Sequence, residues 1–406
     1  MCVRLVLAFA FAGNYDVGVW EQVDEALDRD PLSVYSLNRD PGTGVLFLWP
    51  YPPLYLVGIA LASGLSDVTG LPFHGTVQLW PILADVGIAL AVYAYLGRRG
   101  AGERSRIAGL ALVMLGPSFI AISGYHGQFD QVAVLPAVLA LMAWENRRDA
   151  RAVKSGLLVG VGAAIKTVPG LLAIPLAASA RSFREGATLL VAAVAVPVVA
   201  LAPFGVADPD GVLSLREYAG VPGLGGLSLI ADPDRAVAWL QEGIQFHEPT
   251  SSGRFVDDNS GPITLLALLG VAALLFGCRP APIDGAVVVW LALYALSPNF
   301  FKQYLVWGLP FFIMAGYIKH VAVLQVVLLP ALAITYFGPF DDPYPWADIY
   351  ITIMAWVWAF WVVALAVVAW RVARRRAKPP EVQAPLVPMR ADGDALALGS
   401  GASRSG

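Results

Sequence analysis

Apolar runs long enough, or nearly long enough, to cross a bilayer recur from the first residues to Trp370, and the charged residues fall in the gaps between them. Few folds tolerate that pattern. Inside lipid every backbone polar group must be bonded within the protein, and long apolar runs without alternating polarity satisfy this as helices. Charged residues make up 14% of the 406-residue chain, against about 25% in soluble domains, so there is too little polar surface for a water-soluble body of this size. The expectation is an all-α, polytopic integral membrane protein of about 12–13 transmembrane helices. Its surroundings are the bilayer, and no nucleic-acid partner is expected.

The predicted spans are 1–12, 78–96, 107–123, 132–144, 155–165, 169–180, 187–204, 263–277, 285–296, 304–316, 321–337 and 349–370. The first is short of the roughly 20 residues a span needs, which implies a stunted helix or a start upstream of Met1; no signal-peptide cleavage region precedes Asp16. Basic clusters set the orientation. Arg98, Arg99, Arg104 and Arg106, then Arg147, Arg148, Arg151 and Lys154, then Arg181 and Arg184, Lys319 and His320, and finally Arg371 to Arg376 are all assigned to the cytoplasmic side. The alternate loops are acidic and are assigned outside. This implies a plasma-membrane protein, of prokaryotic type, with basic loops and tail cytoplasmic. Cys2 and Cys278 then face the cytoplasm, where a disulfide is not expected. Counting Pro52–Ser63 as a full span would invert Arg98 and Arg99, so a re-entrant or half-depth helix is expected there. Residues 155–180 must hinge at Lys166-Thr167-Val168-Pro169-Gly170. The domain plan is one membrane domain, 1–370, with outer loops 13–53 and 205–262, followed by a Pro/Ala/Gly/Ser-rich, disordered cytoplasmic tail, 371–406.

Candidate chemistry gathers on the outer side. Asp16 lies just beyond the first apolar stub, with Val17, Trp20, Val23 and Leu27 at helical spacing behind it. Two readings fit: an N-cap for an interfacial helix, or a carboxylate placed as a base at the aqueous rim. Val19 stands where a capping box would need Glu or Gln. The same polar stretch closes on Trp49-Pro50-Tyr51-Pro52-Pro53-Leu54. Four further features stand out. In Gly124-Tyr125-His126-Gly127-Gln128-Phe129-Asp130, His, Gln and Asp alternate where an ordinary polar turn needs none of them. Lys166 lies between two short helices, and an ionisable group in the bilayer is by default a functional candidate, with snorkelling the alternative. In Ser297 to Trp307, Lys302 is followed by Gln303 and Tyr304, either as an interfacial anchor or as part of a site. Asp85 lies inside an apolar span and either pairs with a cation in the cavity or is a structural partner. Asp28-Arg29-Asp30 has the spacing of a metal-binding Asp-x-Asp but no accompanying phosphate loop, so a solvated loop is the better reading. The four histidines lack metal-ligand spacing.

Asp16 ahead of an amphipathic segment, Tyr51-Pro52-Pro53-Leu54, Tyr125 to Asp130, Lys166 ahead of Pro169, Pro203-Phe204, and Lys302-Gln303-Tyr304 occur in this order. The series resembles the GT-C superfamily of polyprenyl-phosphate-sugar-dependent glycosyltransferases, over roughly residues 10 to 310. It is most similar to the dolichyl-phosphate-glucose transferases and the bacterial polyprenyl-phosphate-mannose mannosyltransferases. The resemblance implies a GT-C-like fold with its active site in outer-face loops, a catalytic base at Asp16, a match to the family turn at Gly127-Gln128-Phe129, and a basic residue at Lys302. Relatives often carry a His beside that last motif, where this chain has Asn299-Phe300-Phe301.

The chemistry expected of these residues is self-consistent. The acceptor hydroxyl loses its proton to Asp16 as it attacks the anomeric carbon. A phosphate leaving group needs charge stabilisation, which Lys166 and Lys302 would supply. Tyr51, His126, Gln128, Asp130, Gln303 and Tyr304 would line the substrate. One carboxylate and no nucleophilic partner implies inversion, and the logic calls for no cofactor and no metal. The expectation is therefore an inverting hexosyltransferase, mannose favoured over glucose, moving sugar from a polyprenyl-phosphate-linked sugar to a lipid or glycan acceptor. The rivals are an oligosaccharide ligase or polymerase working through Arg216, Arg235, His247 and Arg254 of the 205–262 loop, and a transporter with broken helices at Lys166.

Overall fold

Backbone that enters lipid can bond only to its own chain, and the sequence answers this with helices joined by short turns. The computed structural model describes residues 1–12, 15–39, 49–146, 150–218, 224–241, 248–337 and 346–375, and no strand forms among them. A short helix α1 (Cys2–Ala10) leads to the amphipathic α2 (Tyr15–Arg29). After the Pro-rich turn come α3 (Leu56–Thr69), α4 (Phe73–Arg98), α5 (Glu103–Met114) and α6 (Pro117–Ala121). A one-turn π-helix at Ile122–His126 precedes α7 (Asp130–Glu145) and α8 (Arg151–Ile165). A 3-10 turn then leads into α9 (Ala173–Ala178) and the long α10 (Phe183–Ala207).

Four short helices, α11 (Pro209–Ser214), α12 (Gly226–Ala231), α13 (Pro233–Gln241) and α14 (Ser251–Asp258), fill the large connection that follows. The chain ends in α15 (Ser260–Cys278), α16 (Pro282–Leu296), α17 (Leu305–Met314), α18 (Ile318–Phe337) and α19 (Ala347–Arg375). Arg147, Arg148, His247, Asp341 and Asp342, together with the tail from residue 376 on, lie outside the described residues.

Among the described residues, six helical stretches are long and apolar enough to cross a membrane: Phe73–Arg98, Glu103–His126, Phe183–Ala207, Ser260–Cys278, Ile318–Tyr336 and Ala347–Arg375. The remaining predicted spans are shorter helices inside this frame. At 1.5 Å per residue, the 26 residues of α4 rise about 39 Å, whereas the 16 of α7 and the 15 of α8 rise only about 24 and 22 Å. The deficit is made up by irregular chain held within protein, which is where non-helical backbone is tolerated at membrane depth. The polar side chains beside these irregular segments gather at one end of the bundle, the recess end.

Both ends are legible in side-chain pairs. At the end away from the recess, Tyr95 bonds Glu145, Arg151 grips Glu185 through two hydrogen bonds of 2.6 and 2.9 Å, and Arg375 reaches Asp284. These pairs sit among the basic clusters. The short helices can approach closely because α8 presents glycines. A Cβ on Gly156 or Gly160 would lie 2.5 and 2.7 Å from the α10 carbonyls of Leu189 and Ala193, and one on Gly162 would lie 2.7 Å from the α7 carbonyl of Ala133. Small residues four apart let helix backbones meet where no hydrophobic drive between helices exists.

Asp85 is the structural partner of a residue that sequence reading passed over. Arg4 of α1 places its Nε 3.2 Å from Asp85 Oδ2 and 3.0 Å from Ser123 Oγ, and its NH2 2.9 Å from the Val113 carbonyl. Both side chains are 2% exposed or less. This buried pair fixes the stunted first helix against α4 and the turn before α7. Removing one partner strands a buried charge, which costs about 3–5 kcal/mol, while replacing both by apolar groups is often neutral. Asp85→Leu is therefore expected to lower the thermal midpoint of the purified protein sharply, and Arg4→Met with Asp85→Leu to recover most of the loss.

The segment α3 keeps to the recess end. Tyr55 bonds the Val77 carbonyl, Trp80 bonds the Gly58 carbonyl, and Ser63 Oγ donates to Asp24 Oδ2 at 2.7 Å. Its contacts are thus with α2 and the first turns of α4.

Candidate active site

The recess is organised by a turn that breaks helix geometry. The π-turn Ile122–His126 ends at Gly127, whose φ of +75° favours glycine, and a Cβ there would meet Val17 at 2.4 Å. Helix α2 docks on this turn: Val17 packs on Gly127, and Trp20 Nε1 donates to the Gly127 carbonyl at 3.1 Å. Docking of Val17 and Trp20 places Asp16, in the first turn of α2, against the two polar residues of the turn. His126 Nε2 lies 2.7 Å from Asp16 Oδ2 and 2.7 Å from Gln303 Oε1. Facing two acceptors, that ring nitrogen is assigned its proton. Gln128 adds a second hydrogen bond to Asp16. Burial is the largest single influence on the Asp16 carboxyl and would raise it. The charge and hydrogen bond of His126, the hydrogen bond of Gln128 and the charge of Lys166 together outweigh it, holding the group below the usual carboxylate range.

The second carboxylate is already committed. Asp130 begins α7, and its Oδ1 receives the Trp307 indole N–H and lies 2.7 Å from Lys166 Nζ. Lys166 caps α8 in an extended conformation, the break foreseen at this hinge. Its ammonium is walled by rings, with centres 4.9 Å (Tyr51), 5.4 Å (Phe129), 5.6 Å (Trp307) and 5.7 Å (Tyr304) away. Such contacts stabilise a desolvated cation by about 2 kcal/mol each. Phe129 in turn stacks on Tyr55 at 4.0 Å and touches Trp20, Trp49 and Tyr51, so the Trp49–Leu54 stretch forms an aromatic wall behind the lysine. Exposure separates the two acids: Asp130 is 0% exposed, whereas the Asp16 side chain keeps 20%. Of the two acids, Asp16 alone keeps solvent contact.

Lys302 completes the site from the turn before α17. Its Nζ lies 4.6 Å from the Tyr336 ring centre, and no carboxylate stands within ion-pair distance of it among the described residues. Burial pulls the ammonium down to about 7, opposed by the charge of Asp16. Among the described residues it is a buried cation with no ion-pair partner, close enough to Asp16 to feel its charge. The structure thus brings together all nine residues expected at the site: Asp16, Tyr51, His126, Gln128, Asp130, Lys166, Lys302, Gln303 and Tyr304. A histidine also stands beside the last motif after all, because His126 arrives there in space rather than in sequence.

Three residues were missed. Trp307, read from sequence as a belt aromatic, stacks on Tyr304 at 3.9 Å and holds Asp130; its spacing of three from Tyr304 on a helix was the available signal. Phe129 was singled out from sequence only as part of the Gly127-Gln128-Phe129 turn, and Tyr336 carried no sequence signal beyond aromatic character near a helix mouth. The described rival residues of the 205–262 loop are engaged elsewhere or face solvent. Arg235 is bound by Asp257 through bonds of 2.9 and 2.7 Å, and Arg216 and Arg254 are exposed. His247 lies outside the described residues. Asp28-Arg29-Asp30 ends α2 in solvent, with Asp30 Oδ1 accepting the Leu32 N–H in a local turn.

The described residues thus form an all-α membrane bundle in which Asp16, Lys166 and Lys302 gather beneath a wall of aromatic rings. Comparison with known families supplies the class: the model of glycosyltransferase family 87 matches residues 49–298. The chain belongs to glycosyltransferase family 87, a GT-C-type family, and is a membrane glycosyltransferase. The match contains Tyr51, His126, Gln128, Asp130 and Lys166, while Asp16 and Lys302 to Tyr304 lie on either side of it. No curated protein matches the chain.

Proposed function

We propose that the protein transfers a hexose, mannose in preference to glucose, from a polyprenyl-phosphate-linked sugar to a lipid- or glycan-linked acceptor, with inversion, on the outer face of the membrane. The observation that carries this reading is Asp16, ionised and partly exposed, within reach of the charge of Lys302, a buried ammonium with no ion-pair partner among the described residues. An attacking hydroxyl needs a base, and a phosphodiester leaving group needs positive charge but no proton. The two groups supply one each. Lys166, held by Asp130, adds fixed positive field and frames the aromatic wall. The preference for mannose rests on the resemblance alone. The basic ends of α4, α8 and α19 would face the cytoplasm by the positive-inside rule, which puts the recess outside. In this arrangement residues 1–370 act as one catalytic membrane unit and 371–406 as an appended tail.

The test is transfer of radiolabelled sugar from polyprenyl-phosphate-mannose and polyprenyl-phosphate-glucose to a membrane glycolipid extract by the purified protein. Transfer from one or both donors, unaffected by EDTA, is expected, with inverted anomeric configuration in the product. Arg254→Ala is expected to leave the rate unchanged. A collapse in that variant would move the chemistry to the 205–262 loop, and absence of transfer from both donors would reject the donor class.

A further inference from the structure

A concavity lies along the C-terminal half of α2. It is a groove of about 590 Å³ between α2, α3 and the end of α10. Its walls are hydrocarbon, chiefly Leu27, Leu32, Leu54, Leu56, Val57 and Phe204, while Asp24, Asp28 and Asp67 stand along it. No lysine, arginine or histidine lines it among the described residues. The carboxylates feel one another: burial raises the Asp24 carboxyl most, the Ser63 hydrogen bond opposes this, and the charges of Asp28 and Asp67 raise it further. Asp24 already accepts one hydroxyl, that of Ser63, at 2.7 Å.

Each wall has a chemical consequence. The apolar side opens beside Val57, which is 57% exposed, so a chain is expected to enter from lipid rather than from water. An ionised carboxylate only accepts hydrogen bonds, so the rim suits hydroxyl donors and repels phosphate. The catalytic recess has the opposite character, with Lys166 and Lys302 at its heart. Charge would therefore sort two amphiphiles between two sites on one helix. Asp24 lies eight residues along α2 from Asp16, about 12 Å at 1.5 Å per residue, which is longer than a single hexose.

We propose that this groove seats the acceptor, an amphiphile whose hydrocarbon lies against α3 and α10. Its uncharged, polyhydroxylated head, more than one sugar long, bonds the three carboxylates and delivers its far hydroxyl to Asp16. The assignment rests on the glycosyl-transfer reading above.

The groove offers a clean way to fill it. Gly64 lines it, and a Cβ built there meets nothing within 4 Å, so Gly64→Trp occupies the space without pressing on backbone. The probes are dodecyl maltoside carrying a diazirine in its chain, and dodecyl phosphate and dodecyltrimethylammonium with the same diazirine, applied to the full chain in phosphatidylcholine nanodiscs. Expected labelling by the maltoside concentrates on 53–64 and 200–204, exceeds that by either charged probe, and falls in Gly64→Trp. Asp24→Asn with Asp28→Asn and Asp67→Asn should erase the head-group preference on the order of tenfold, the worth of a hydrogen bond to a charged group, while chain labelling persists. In the transfer assay Gly64→Trp should raise the acceptor KM and leave the donor KM unchanged.

Uniform labelling around the protein, or labelling that phosphatidylcholine dilutes as well as excess maltoside does, would make the groove a seat for bulk lipid and overturn the proposal. Preference for the phosphate or ammonium probe would overturn the head-group assignment. Should the wild type transfer no sugar from either donor, the donor reading fails, and the labelling pattern still decides what the groove holds.

Discussion

Asp16→Asn is expected to reduce sugar transfer by about 10²–10⁴-fold, the usual contribution of a positioned general base, while the thermal midpoint and folded yield stay at the wild-type level. The substitution is chosen for what it preserves. Asparagine keeps an oxygen that still accepts from His126 and Gln128, so α2 remains docked through Val17 and Trp20. Asparagine is also as good an N-cap as aspartate. If Asp16 served only to start α2, the variant would transfer sugar at the wild-type rate, and that outcome would withdraw its role as base. Asp130→Asn separates the two acids differently. It leaves Lys166 buried without its counter-ion, so loss of folded protein should accompany any loss of activity. Initial rates, measured beside melting curves for both variants, distinguish base from scaffold.

Lys302→Gln is expected to cost about 10²–10³-fold in kcat, comparable to the loss of one preorganised electrostatic donor, and Lys302→Arg to retain part of the rate. The pH profile carries the more specific signature. The Lys302 ammonium is pulled down to about 7 by burial, so its charged form is present below that pH and is lost as pH rises through it. The Asp16 carboxyl is held below the usual range, so its ionised form is present at neutral pH and is lost only in acid. Both required forms coexist on the acid side of 7. In wild type, kcat/KM should therefore fall as pH rises past about 7. Bound donor phosphate favours the ammonium, so the alkaline limb of kcat should lie at higher pH than that of kcat/KM. Arginine keeps its charge across this range, and Lys302→Arg should flatten the alkaline limb. A wild-type limb that persists unchanged in Lys302→Arg would assign the titration to another group.

Much of this site could be read from the chain because charge in a membrane is expensive. Asp16, Asp130, Lys166 and Lys302 interrupt apolar sequence at helix mouths, where a polar residue without a partner would be selected against by physics alone. The break at Lys166 is legible for a different reason, since Pro169 has no N–H for the helix and its ring would clash with the Ile165 carbonyl if α8 continued. What one-dimensional reading lacked was partnership. Arg4 looked like any residue of a short apolar stub, and Asp85 had two open explanations until the fold joined them at 3.2 Å. The absence of a histidine beside Asn299-Phe300-Phe301 looked like a departure from the family pattern. The fold instead brings His126 to Gln303 from 177 positions away.

The sequence by itself determined the class of fold, the alternation of helices and the identity of the charged residues at the recess. Hydropathy and the cost of unpaired charge are local properties, counted residue by residue. Only the tertiary structure decided which acid keeps a solvent-facing edge. Asp16 and Asp130 are chemically the same group, and each lies at the start of a helix. Packing delivers Lys166 and Trp307 to Asp130, and His126 and Gln128 to Asp16, which stays partly exposed within reach of the charge of Lys302. Burial and counter-ions are properties of neighbours, and neighbours are set by helices that meet in space.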